Sequence, residues 1–253
     1  METILKKPSL YNLLYSDVTE DINLYKILLK DYNEVVEYGA GTGRITIPLA
    51  QEGKKVIAID NEPNMLDDLK SKVEMLNLEK KIVIVNADMI TYIHNKKEKC
   101  VIMPLTVFNY ILEDNKQDEC LDNISRYLEK DGILIIELLT KKTFLDLTEN
   151  SEGNLKYIKT FNITNGYYEY WRTTTLNNST NRIEQRRVFK HFNKEREQDN
   201  QEEFIWENKF VTYNTIVQKL EKNGFRIENA YGNCRLEPYN DDSEDLFIEA
   251  KKI

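Results

Sequence analysis

The chain has 253 residues, 41% of them hydrophobic and 31% charged, with 43 acidic against 35 basic side chains and a formal net charge of -8. That length and apolar content suit one large domain, or a domain carrying an insertion, with a sizeable core. The acidic balance argues against broad binding of a polyanion, so no nucleic-acid partner is expected.

The N-terminal stretch METILKKPSLYNLLYSD has no long apolar core behind its lysines, and the most apolar run, ILIIELL at 133–139, is too short to span a bilayer. A soluble, cytoplasmic protein with no membrane partner is expected. Tyr11 and Tyr15 fall on one face if this stretch is helical. Next, EVVEY (34–38), KVIAID (55–60), KIVIVNA (81–87), CVIMPL (100–105) and GILIIELL (132–139) read as successive buried strands, rich in Val and Ile without alternation. Between them GRITIPLAQEG, EPNMLDDLKSKVEML and NKQDECLDNISRYLEKDG read as crossover helices. Pro48 should bend the first of these, and Gly132 should cap the last. Cys100, Cys120 and Cys234 are odd in number and widely spaced, which fits reduced thiols and neither a disulfide framework nor a metal site.

After residue 140 the texture changes. The run from Tyr157 to Phe192 is dense in Thr, Tyr, Phe and Arg and is broken by NNSTN at 177–181, a hairpin signature. Tyr168, Tyr170 and Arg172 share one strand face, and Tyr167 and Trp171 the other, so one face can pack while the other lines a cavity or a dimer contact. The charged run NKEREQDNQEE at 193–203 reads as a solvated turn or helix face. A helix, a glycine stop at Gly224 and two more strands close the chain. The expected organisation is a helical lid segment over 1–33, a core over 34–150 and 211–253, and an antiparallel β insertion over 151–210 on one sheet edge, serving as acceptor lid or dimer contact. The fold class is α/β, a doubly wound, mostly parallel sheet.

The loop behind the first strand, EYGAGTG, places Gly39, Gly41 and Gly43 after Glu37, at the sheet edge where doubly wound folds bind ligands. A P-loop would need Gly-Lys-Ser/Thr, but Arg44 and Ile45 follow Gly43. The dinucleotide fingerprint would need a glycine at 44, or a glycine or alanine at 46, where Arg44 and Thr46 stand.

With Asp60 ending VIAID, Met65 in NEPNML, Asp88 and Met89 in NADM, and PLTVFNYI after the fourth strand, the chain resembles the class I S-adenosylmethionine-dependent methyltransferases over roughly residues 34–140. The resemblance implies a seven-stranded Rossmann-like sheet and S-adenosyl-L-methionine as cofactor. It implies that Glu37, Gly39, Ala40, Gly41, Gly43 and Arg44 bind it from the first loop. Asp60, Asn61 and Met65, then Asp88 and Met89, then Leu105 and Asn109 complete the set. That cofactor carries no phosphate, so close backbone approach and carboxylates suit it better than lysine. One departure is that the family's acidic residue at the start of the fourth strand falls near Lys99 and Cys100 here.

The long insert and the N-terminal segment resemble the small-molecule branch, such as sugar-amine N-methyltransferases, which implies a small acceptor methylated on N or O and a possible homodimer. Tyr11, Tyr15 and His191 are the candidate acid–base residues; their alternative is plain packing. A methyltransferase acting on RNA or protein, or a non-catalytic cofactor-binding module, are the competing readings. FNYI at 108–111 is not the Asn/Asp-Pro-Pro-Tyr/Phe motif of base-amine methyltransferases.

Overall fold

The computed structural model describes residues 3–149 and 153–253. The expected boundary between core and insertion, at 150/151, lies outside the described residues, as do positions 1 and 2 of the N-terminal segment. In chain order the chain forms α1 (Pro8–Leu14), α2 (Glu20–Leu28), β1 (Glu34–Tyr38), α3 (Thr46–Gln51), β2 (Lys55–Asp60), α4 (Pro63–Met75), β3 (Ile82–Asn86) and β4 (Glu98–Met103). Then follow α5 (Asp114–Tyr127), β5 (Leu128–Leu139), α6 (Lys141–Glu149), β6 (Lys156–Ile163), β7 (Gly166–Asn177), β8 (Arg182–Phe192), β9 (Gln198–Lys209), α7 (Tyr213–Lys222), β10 (Phe225–Tyr231) and β11 (Asp245–Lys252).

The Val- and Ile-rich runs become central strands because both of their faces must be covered. Val35, Val36, Val101, Ile102, Leu134 and Ile135 are all buried. The seven-stranded sheet has the order β10-β11-β5-β4-β1-β2-β3, parallel from β5 through β3, with β11 antiparallel to both neighbours. The chain runs from β1 outward through β2 and β3, then returns to place β4 on the other side of β1. The loops after β1 and β4 therefore diverge and leave a crevice between them. One face is covered by α5 and α7 through Ile124, Tyr127, Ile216 and Leu220, and the other by α2 through Leu24 and Tyr25.

Several local readings need correction. The first crossover helix begins only at Thr46, so Pro48 is its third residue, where a backbone N–H has no intrahelical partner; the proline costs no helical hydrogen bond. Gly132 is no helix cap. α5 stops at Tyr127 and runs directly into β5, where an added Cβ at Gly132 would stand 3.0 Å from Glu129 O and 3.2 Å from Lys99 O. β4 begins at buried Glu98, so an acidic residue does open the fourth strand.

The insertion is not an addition to the edge of the main sheet. It forms its own antiparallel sheet, β6-β7-β8-β9. Its strands alternate, so one face is apolar and needs cover. Phe161, Tyr170, Phe189, Phe204 and Trp206 on that face pack with Ile4 and Leu10 of the N-terminal segment. The charged run at 193–203 divides between a turn and the outer half of β9, an edge strand whose charges face water.

The two sheets are joined by the chain after β4. Leu105 and Thr106 take positive φ, 50° and 55°, and lead into a single 3-10 turn, Val107–Tyr110. Asn109 in that turn is fully buried; its Nδ2 donates to Lys209 O at 2.7 Å and its Oδ1 accepts from Leu139 N at 3.1 Å. One side chain thus satisfies backbone groups of both sheets. Asn109→Ala should lower unfolding free energy by about 2–5 kcal/mol, since two buried backbone groups lose their partners. Chemical denaturation checks this, and a loss under about 0.5 kcal/mol would mean that the two sheets are held together elsewhere.

Candidate active site

The loop from β1 to α3 is built on three glycines with φ of +70°, +54° and +86°. They share a backbone conformation and differ in what a side chain would meet. A Cβ on Gly39 would lie 2.2 Å from Val107 Cγ2, and one on Gly43 would lie 2.4 Å from Leu69 Cδ1. On Gly41 it would find Met65 Cε at 3.7 Å and Gly39 O at 4.0 Å, both ordinary contacts. Gly39 and Gly43 are therefore glycine for packing. Gly41 leaves space that the protein itself does not fill.

That space belongs to a cavity of about 270 Å³ at the carboxyl ends of β1 to β4. Gly39 and Gly41 form its floor, with Ile59, Asp60, Asn61 and Met65 from the second strand and its helix. Ala87, Asp88, Met89 and Ile90 follow β3, and Pro104, Leu105, Val107, Tyr110 and Ile111 follow β4. Leu5, Tyr11 and Trp206 line it from the N-terminal segment and the second sheet.

Asp60 fixes the geometry of the floor. Its Oδ2 accepts from Gly41 N at 2.8 Å and its Oδ1 from Glu62 N at 2.9 Å, so each oxygen keeps a lone pair for a ligand. Burial pushes its pKa upward, against those backbone hydrogen bonds. Asp88 is exposed and accepts from Ile90 N at 2.7 Å. Tyr11 is held far above the usual tyrosine range, first by burial and then by Tyr15 beside it. It is a neutral phenol at any ordinary pH. Among the described lining residues there is no histidine, lysine or cysteine.

Nine of the residues singled out from sequence meet at this cavity: Tyr11, Gly39, Gly41, Asp60, Asn61, Met65, Asp88, Met89 and Leu105. The others do not line it. Ala40 is buried in the loop, donating its N–H to Ile59 O. Gly43 faces Leu69 and Ile47. Glu37 is buried beneath the loop, accepting from the Thr46 hydroxyl at 2.6 Å. Arg44 turns away to a bidentate pair with Asp21 at 2.7 and 2.6 Å, which ties the loop to α2. Asn109 joins the two sheets, as above. Tyr15 stacks behind Tyr11 with ring centroids 4.7 Å apart. His191 is at the far end of β8, paired with Asp199 and against Tyr168. Strand alternation placed it on the inner face of its sheet, but the cavity meets that sheet at Trp206, at the other end.

Leu5, Tyr110, Trp206 and Glu137 carry no local signature. Trp206 alternates inward with Phe204 on β9, a period that identifies a face without identifying what the face covers. Glu137 lies in β5, and its Oε2 accepts from Leu105 N at 2.7 Å and from the Tyr25 hydroxyl at 3.4 Å. Burial pushes both Glu137 and Glu37 up to about 8.

A family profile described as a methyltransferase domain matches residues 35–132, from β1 into β5. The chain is similar in structure to an S-adenosylmethionine-dependent methyltransferase from Clostridium acetobutylicum, with a TM-score of 0.77, 16% identity and 95% of each chain covered. It is also similar to the sugar N-methyltransferase KedS8 from Streptoalloteichus, with a TM-score of 0.75 and 12% identity over 96% of this chain and 93% of that one. Among curated proteins it matches a probable cobalt-precorrin-6B C(15)-methyltransferase (decarboxylating) of Methanobrevibacter smithii, 40% identical over 65 residues, 26% of this chain and 35% of that one. Other partial matches are to a probable ribosomal RNA small subunit methyltransferase and to dimethyladenosine transferases. The chain spans about a third or less of the length of these first curated relatives. At such identities the structural likeness establishes the fold, and S-adenosylmethionine as the cofactor rests on the matched methyltransferase domain.

Two outcomes are expected. Gly41→Ala should weaken S-adenosylmethionine binding at least about tenfold while lowering stability by only about 1–2 kcal/mol, the usual cost of a left-handed residue. Gly39→Ala and Gly43→Ala should instead lower the melting temperature more than Gly41→Ala does. Calorimetric titration beside thermal unfolding separates the two kinds of glycine, and equal behaviour of all three would refute the assignment. For pH, Glu37 and Glu137 have folded pKa values raised to about 8 from an ordinary 4.5. The folded state therefore binds more protons across that window, and their contribution to stability is complete below pH 4.5 and lost as pH rises through 8. The melting temperature of the ligand-free protein should fall between pH 5 and 9. Glu137→Gln, which keeps an acceptor for Leu105 N, should flatten that decline, and an unchanged slope would exclude Glu137 as its source.

Proposed function

We propose, from the premise that residues 35–132 are a methyltransferase domain using S-adenosylmethionine, that the protein methylates a nitrogen or oxygen of a small molecule, with an amine nitrogen favoured. The observation that carries the preference is the chemistry of the cavity wall, where the carboxylates of Asp60 and Asp88 line one end, apolar and aromatic groups the other, and no described lining residue is a histidine, lysine or cysteine.

The residues present fit the cofactor. Gly41 offers a floor that a side chain would fill, and Asp60 has lone pairs left for two hydroxyl donors. Met65, Met89 and Ile90 would flank a flat ring, and Asp88 would accept from an exocyclic amine. When bound, the cofactor supplies an electrophilic methyl carbon. The chain's own part is alignment and exclusion of water: Tyr11, Leu5, Tyr110 and Trp206 would enclose the reacting end, where water competes least. Because Tyr11 stays protonated, its hydroxyl can orient an acceptor by a hydrogen bond but cannot take a proton from it. An acceptor that arrives with a free lone pair, as a neutral amine does, needs no base; a hydroxyl would. The cavity's volume of about 270 Å³ and the acidic chain favour a small acceptor over RNA.

Closure depends on the N-terminal segment. Asn12 of α1 accepts from the Thr42 hydroxyl at 2.6 Å and from Lys72 Nζ at 3.2 Å, and its Nδ2 donates to Asp68 at 3.2 Å. Thr42 is in the glycine loop and Asp68 and Lys72 are on α4, so one amide latches the segment that carries Tyr11 to both.

Titration with S-adenosylmethionine tests the reading at its base, and a protein that binds no cofactor would overturn it. Asn12→Ala should leave cofactor affinity within about threefold and cut methyl-transfer turnover, followed by mass spectrometry across a panel of small amines, about tenfold or more, as loss of a closing element does. A parallel fall in affinity and turnover would show that the segment builds the cofactor site, and unchanged turnover would show that it does not close the cavity.

A further inference from the structure

On the covered face of the second sheet, Arg172 of β7 and Arg187 of β8 stand directly opposite one another. Arg187 is 7% exposed, and its guanidinium carbon lies 3.6 Å from the centre of the Trp206 ring. Its Nε and Nη2 donate to Gln185 Oε1 at 3.1 and 2.6 Å, and its Nη1 reaches the Tyr15 hydroxyl at 3.5 Å. All of these partners are neutral. Arg172 lies against Tyr170, and burial, the largest influence on it, holds its guanidinium below the usual arginine value. Among the described residues neither arginine forms an ion pair with a carboxylate, Arg187 donating instead to Gln185 and Tyr15.

That lack is not a shortage of acids, since the chain carries 43 against 35 basic residues. Arg44, Arg126, Arg182, Arg186, Arg226 and Arg235 each pair with a carboxylate. Removing a cation from water without a counter-ion is costly, and two like charges opposite one another on a sheet repel. A stacked tryptophan offsets only part of that. The Trp206 Nε1 donor beside Arg187 is also buried without an acceptor. Donors therefore accumulate here with no anion to receive them.

The cluster adjoins the cavity. Trp206, which Arg187 stacks on, lines the cavity wall, and Tyr15, which Arg187 also reaches, packs on Tyr11 of the same wall. We propose that Arg172 and Arg187 form an oxyanion subsite, and that the methyl acceptor carries a carboxylate or phosphate that docks there while its nucleophile enters the cavity; this rests on the small-molecule reading above. A guanidinium pair presents planar donor forks suited to either group.

The test titrates the full chain, without cofactor, with acetate and separately with inorganic phosphate, each against chloride at matched ionic strength, by calorimetry and thermal shift. The wild-type protein should bind one of the two saturably, acetate alone marking a carboxylate and phosphate alone a phosphate group. Arg187→Gln and Arg172→Gln should each weaken that binding about tenfold or more. Arg172 is partly exposed, so its variant still reports if the Arg187 variant fails to fold. No saturable binding beyond chloride, or binding that survives both substitutions, overturns the proposal. Titration of the same sample with S-adenosylmethionine is read separately: cofactor binding without anion binding removes the subsite and leaves the methyltransferase reading, and the reverse outcome removes that reading instead.

Discussion

The hydrogen bond from Leu105 N–H to the buried carboxyl group of Glu137 holds the turn on which the rest of the site depends. Leu105 and Thr106 both take left-handed backbone, which costs each about 1–2 kcal/mol, and nothing in their side chains favours it. Such strain persists only where surroundings over-determine it. From this turn Val107 presses on Gly39, Asn109 joins both sheets, and Tyr110 meets Trp206 with ring centroids 5.2 Å apart. The floor of the cavity, its wall and its roof are all referred to one turn. Burial penalises the ionised form of Glu137, against the Leu105 hydrogen bond, which favours it.

Around that turn the molecule separates tasks that the loop sequence combines in one motif. Gly39 and Gly43 admit Val107 and Leu69, and Gly41 borders open space. Arg44 and Glu37 belong to the loop's attachments, one to Asp21 and the other to Thr46, and keep its shape from below. The loop is stiff because its flanking residues are engaged away from the cavity. Asp60 then completes it from above through the Gly41 N–H.

The roof comes from parts distant in sequence. The second sheet has one apolar face, and the N-terminal segment supplies most of its cover, so the two fold as one layer over the crevice. The ion pairs between them, Lys7 with Glu202 and Lys159 with Asp17, are solvent-exposed and contribute little. Apolar burial and the Asn12 amide hold the segment in place. A wall of phenol, indole and aliphatic groups does not titrate near neutrality, which suits a reaction accelerated by alignment and not by proton transfer. The two arginines lie behind that wall, and no described residue lining the cavity is a cation.

The sequence by itself determined the sheet and its ligand edge. Strands such as KVIAID and ILIIELL are apolar on both faces and could be stable only inside a covered parallel sheet, and the glycines behind β1, with Asp60 and Asp88 at the ends of their strands, marked the carboxyl edge because that information is local. What only the tertiary structure decided were relations between distant residues. Gly39, Gly41 and Gly43 are indistinguishable in sequence and differ through Val107, Met65 and Leu69, which long-range packing brings to them. Arg44 follows the glycines directly yet is drawn to Asp21, since a bidentate carboxylate is a stronger partner than open space. His191 alternates inward as its strand requires but is carried to the wrong end of the sheet, while Trp206 is carried to the cavity. Periodicity fixes which face a side chain joins; the register and tilt of one sheet over another fix what that face meets, and those arise from packing that no short stretch of sequence contains.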